Sequence, residues 1–107
     1  MINMEMKELK DFIELESKRL RKQFKVDDEK FALGQNVKLM EEVGELSSEV
    51  LTHLSLQRKR KLENHDKENI QDEFADVIFT TLILAKVMDV DIENALKNKI
   101  EKINKRY

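Results

Sequence analysis

The chain has 107 residues, with 20 Lys and Arg against 22 Asp and Glu for a net charge of −2, so it is long enough for one domain with a modest core and carries no broad basic field for nucleic acid. Cysteine is absent, which excludes disulfides, zinc–thiolate sites and cysteine nucleophiles and suits a reducing cytoplasm. Proline is also absent, glycine occurs twice, and 39% of residues are charged against 40% hydrophobic, a composition for long amphipathic helices rather than strands and tight turns.

The expected fold is therefore all-α, a four-helix bundle-like unit forming a single domain over residues 1–107. Glu5, Glu8 and Asp11 interrupt the apolar stretch a signal peptide would need. No run approaches the roughly 20 apolar residues of a membrane span. A soluble cytoplasmic protein, without membrane or nucleic-acid partners, is the expectation.

In the first segment Ile2, Met6, Leu9, Ile13, Leu20 and Phe24 recur at steps of three or four, broken by a polar gap at Glu16 and Ser17. That period makes one stripe of an amphipathic helix over about residues 4–24, with Lys7, Glu8, Lys18 and Lys22 on the solvated face. Val26-Asp27-Asp28-Glu29 then supplies an N-cap and negative charge for a helix start, so a second helix should run from about 28 to 55. Its apolar face follows Leu39, Val43, Leu46, Val50 and Leu54, widened by Leu33, Met40 and Leu51, with Glu42, Glu45 and Glu49 along one edge. Gly44 costs about 1 kcal/mol there relative to Ala, so it should admit close approach of a neighbouring helix or a ligand.

Residues 57–68, with the run Gln57-Arg58-Lys59-Arg60-Lys61, have little apolar content and read as a connection. It is either a solvated loop or one that reaches over a polyphosphate; no aromatic residues interleave with its charges, which argues against nucleic-acid binding. Asn64 or Asp66 is placed to cap a third helix over about 67–88. There Val77, Ile78, Phe79, Leu82, Ile83, Leu84, Ala85, Val87 and Met88 cover nearly the whole circumference, the pattern of a helix buried on most sides. In so small a chain, this points to a partner subunit. Asp89 and Asp91 bracket a short turn, and Asp91 should cap a fourth helix over about 92–106 with the stripe Ile92, Leu96, Ile100 and Ile103. Lys99, Lys102 and Arg106 recur beside that stripe, with Asn104 nearby. They serve either the helix C-terminus and solubility or a substrate-binding phosphate clamp.

Two acidic signatures remain. Glu42 and Glu45 share a face of the second helix, and Glu73 and Asp76 share a face of the third, in a narrow polar sector with Asn69 and Thr80. Carboxylates beside apolar surface are costly to ionise without a partner, and Lys38 and Lys86 are the only bases near the centres of these helices. An all-carboxylate set belongs to hard ions, Mg²⁺ or in its place Mn²⁺. Zinc is disfavoured, since His53 and His65 lack a paired helical spacing. So is a di-iron centre, which needs Glu-x-x-His, whereas Val50 and Leu62 stand three positions before the histidines. Carboxylate-held Mg²⁺ implies phosphoryl chemistry.

Lys38-Leu39-Met40-Glu41-Glu42-Val43-Gly44-Glu45-Leu46, then Glu73-Phe74-Ala75-Asp76-Val77-Ile78, then Lys102-Ile103-Asn104-Lys105-Arg106, resembles the MazG-like all-α nucleoside triphosphate pyrophosphohydrolases over about residues 30–106. The resemblance implies a Mg²⁺-dependent hydrolase that converts an NTP or dNTP and water to the monophosphate and pyrophosphate. It also implies metal ligands at Glu42, Glu45, Glu73 and Asp76, with Glu41 as an outer ligand, a water-orienting catalytic base or a surface residue, and Glu49 similarly open. Lys102, Asn104 and Arg106 would contact phosphate or sugar, and the unit would assemble as a homodimer or homotetramer. The basic spacer departs from the pattern, and the first helix carries no recognised motif. Phe12, Phe24 and Phe31 are candidates to stack on the base, with core packing as the competing reading. The alternatives are a phosphoribosyl-ATP pyrophosphohydrolase, or a non-enzymatic helical interaction module with a structural divalent-ion site.

Overall fold

The computed structural model describes residues 3–54 and 67–107. Its helices are α1 (Met6–Gln23), α2 (Asp28–His53), α3 (Lys67–Val87) and α4 (Ile92–Asn104), in that order. Among the described residues there is no strand, and no helix is long and apolar enough to cross a membrane. The all-α expectation holds, with helix ends within about two residues of those read from the periodicity. The basic run 58–61, both cap candidates Asn64 and Asp66, His65 and Ile2 lie outside the described residues.

Local chemistry sets the boundaries. The Asp27 carboxylate accepts the Lys30 N–H at 2.8 Å, which satisfies one of the orphan donors of the first turn of α2. Asp91 does the same for Asn94 N–H at 3.1 Å, as its spacing predicted. Between these caps α3 ends in a Schellman arrangement: Val90 N–H donates to Ala85 O at 2.8 Å and Asp89 N–H to Lys86 O at 3.1 Å, with Asp89 left-handed at φ 60°. Glycine is the usual occupant of that position. Asp89→Gly should raise stability by up to about 1 kcal/mol, and Asp91→Ala should lower it by about 1 kcal/mol. Urea denaturation midpoints at equal m-value read both, and a shift of the same sign in the two variants would contradict this account of the turn.

The chain divides into two compact units, one from Met1–Ala32 with Leu82–Tyr107 and the other from Leu33–Thr81. In the first, Ile13, Phe31 and Ile83 are buried, and so is Ser17. The apparent polar gap of α1 is therefore part of its packed face, one turn beyond Ile13, where a small side chain sits. Arg21 pairs with Asp28 at the start of α2 and lays its guanidinium 4.7 Å above the centre of the Phe31 ring, a cation–π contact joining α1 to α2. Phe31 is thus core, whereas Phe12 and Phe24 are exposed. Lys10 bridges to Glu93 of α4 at 2.8 Å. Glu93 raises the Lys10 pKa, and Lys10 lowers that of Glu93.

In the second unit α2 has two apolar faces. Leu39, Leu46 and Val50 are half-buried around the buried Glu42. Leu33, Val37, Met40, Leu51 and Leu54 are exposed, along with Val43. Leu51 lies nine positions from Glu42, about 180° around the helix. Glu42 therefore sits in the middle of the buried face rather than along the edge of a single stripe. A Cβ on Gly44 would meet nothing within 4 Å, so no neighbouring helix among the described residues exploits the missing side chain. On α3, Thr80 is buried, while Phe74 and Ile78 are half exposed, so this helix is less enclosed within the chain than its apolar circumference suggested. Thr52 and Thr81 donate their hydroxyls back to Ser48 O at 2.9 Å and Val77 O at 2.7 Å, so neither needs an outside partner.

Candidate metal centre

The helix periods that placed Glu42 on α2 and Glu73 and Asp76 on α3 bring these three residues together. Each offers a carboxylate oxygen, and the three atoms lie within 4.8 Å of one another. Glu42 is buried, with 6% of its surface exposed, Glu73 is half-buried and Asp76 is on the open side. Glu45, one turn after Glu42, is exposed and close enough to Glu73 for its charge to raise the Glu73 pKa. Glu41 is exposed, and Glu49 is half-buried on the face of Glu42.

Crowding shapes the electrostatics. Burial pushes the Glu73 carboxyl up to about 7, helped by the charges of Glu45, Glu42 and Asp76 and by the hydrogen bond to Glu45. Burial and then the charges of Glu42 and Asp72 also raise Asp76, while nearby Lys38 pulls it back. Lys38, one of the two bases near the helix centres, pairs with the cluster: its Nζ donates to Glu42 Oε1 at 3.1 Å. The signal was its position one turn before Glu42, the i, i+4 spacing of a helical ion pair.

Glu42 Oε2 and Glu73 Oε2 are buried without a hydrogen-bond partner among the described residues. Orphaned carboxylate oxygens in an interior cluster are what a hard divalent ion satisfies, and the cluster contains neither sulfur nor imidazole. The residues thus fit an Mg²⁺-type ion. Lys99, Lys102, Asn104 and Arg106 are exposed on α4 and just beyond it, within the unit that contains the chain ends.

The family model described as the MazG nucleotide pyrophosphohydrolase domain matches residues 35–107. The protein described as "Uncharacterized protein YpjD" of Bacillus subtilis (strain 168) is similar to this chain, 34% identical over 74 residues, which cover 69% of the chain and 65% of that protein. The similarity therefore spans just under two thirds of that relative's length. No solved structure matches. The matched segment carries the whole acidic cluster, from Lys38 and Glu42 through Asp76, and the chain belongs to the MazG nucleotide pyrophosphohydrolase domain family.

Proposed function

We propose that this chain is a nucleotide pyrophosphohydrolase that converts an NTP or dNTP and water to the monophosphate and pyrophosphate, limiting unwanted nucleotides in the cytoplasm. The supporting observation is the set of three carboxylates from two helices, with oxygens within 4.8 Å and two of the cluster's buried oxygens unpartnered. In this reading Glu42, Glu45, Glu73 and Asp76 hold Mg²⁺, or Mn²⁺ in its place. A bound ion of this kind lowers the pKa of coordinated water and neutralises phosphate charge. Glu41, exposed beside Glu42, orients or deprotonates the attacking water, and Lys99, Lys102, Asn104 and Arg106 bind phosphate and sugar. Residues 1–107 act as one domain of this kind. The exposed apolar stripe of α2 and the half-exposed Phe74 and Ile78 support a homodimer or homotetramer.

A panel of NTPs, dNTPs and phosphoribosyl-ATP, incubated with the protein and Mg²⁺ and assayed for pyrophosphate, tests the reading. Release from at least one nucleoside triphosphate is expected. Release from phosphoribosyl-ATP alone would assign the other enzyme. No release from any of them, combined with calorimetric Mg²⁺ binding that a non-hydrolysable NTP analogue leaves unchanged, would make the cluster a structural ion site in an interaction module.

A further inference from the structure

We infer that Lys38 is the resident counter-ion of the acidic cluster, which an incoming divalent ion displaces from Glu42. The inference rests on the proposed metal centre and concerns what happens to this chain's own residues when it fills. Lys38 Nζ stands 3.1 Å from Glu42 Oε1, while Oε2 of the same carboxylate is buried and unpartnered. The two ends of the pair differ. The Glu42 side chain is 8% exposed and fixed in the interior, whereas that of Lys38 is 55% exposed on a flexible four-carbon stem. Lys38 is therefore the partner that moves.

A divalent ion among the oxygens of Glu42, Glu73 and Asp76, which lie within 4.8 Å of one another, would repel an ammonium on the same carboxylate with twice the energy of a unit charge. Swinging Lys38 into water relieves that repulsion at little desolvation cost. An ordinary i, i+4 surface pair would do none of this, because both of its ends are already hydrated. Here the acceptor is a buried carboxylate, which is costly to leave ionised without a cation. Lys38 supplies that charge in the metal-free protein and in doing so competes with the metal.

The test uses the full chain at pH 8 with MgCl₂ and, separately, MnCl₂, measured by calorimetric titration and thermal melting. Lys38→Met should bind either ion about three- to fivefold more tightly than the wild type. The same variant should melt lower without metal, so that the rise in melting temperature on adding Mg²⁺ is larger. Lys38→Arg, which keeps the cation, should stay near the wild-type affinity. Unchanged or weaker binding by Lys38→Met overturns the inference while leaving the metal centre intact. Failure of the wild type to bind either ion overturns both.

Discussion

Glu73→Gln is expected to reduce pyrophosphate release by more than about 100-fold, beyond the loss typical of removing a group that merely supports a metal ligand, and to raise the melting temperature of the metal-free protein. The two effects have one cause. Glu73 is a half-buried carboxyl surrounded by Glu42, Glu45 and Asp76, and its pKa is displaced to about 7. Neutralising it without changing its shape removes like-charge repulsion. A residue retained for packing would lose stability when altered, so a gain coupled to loss of activity marks one kept for function. Glu42→Ala combined with Asp76→Ala should be equally inactive. Wild-type pyrophosphate release by the double variant would remove the acidic cluster from the chemistry.

The metal-free protein should lose stability as pH rises from about 4.5 to about 7, and Mg²⁺ should restore it. Across that window folded Glu73, with its carboxyl at about 7 against an ordinary 4.5, binds more protons than the unfolded chain. Stability therefore falls with rising pH, and Asp76, also raised, contributes in the same direction. At pH 7.5, Mg²⁺ at ten times its Kd adds about 1.4 kcal/mol, roughly 6–11 °C in melting temperature for a chain of this size. Scanning calorimetry at pH 5 and 7.5, with EDTA and with Mg²⁺, would measure both trends. A melting temperature indifferent to Mg²⁺ at pH 7.5 would leave the carboxylates without their expected ion.

Sequence patterning reaches the helices and caps because these depend on local period and local hydrogen bonds. Asp27 and Asp91 each bond a backbone N–H three residues ahead, a relation visible in the string itself. Glu73 and Asp76 stood out for a similar reason, as acids in an apolar helix. Depth and pairing were less legible. Val43 continues the Leu39–Leu46–Val50 series in sequence yet is exposed, and Ser17, which interrupts a series, is buried. Period shows which residues share a face, whereas which of two apolar faces turns inward depends on what packs there. The Lys38–Glu42 bond follows from i, i+4 spacing, but its weight comes from the burial of Glu42, which the string does not display. The crowding of Glu73 by Glu42 and Glu45 exists only because two helices meet.

On α2, Glu42 and the Leu33–Met40–Leu51 stripe lie on opposite sides of one rod. In the proposed homo-oligomer, a second copy seated on that stripe fixes how far the rod can roll about its long axis. A carboxylate stands roughly 5–6 Å from the axis of its helix, so a roll of about 20° carries Glu42 through about 2 Å, comparable to an Mg–O bond. The outer face then acts as a brake on the inner one. Subunit association and ion capture become a single equilibrium, in which the affinity for Mg²⁺ depends on protein concentration.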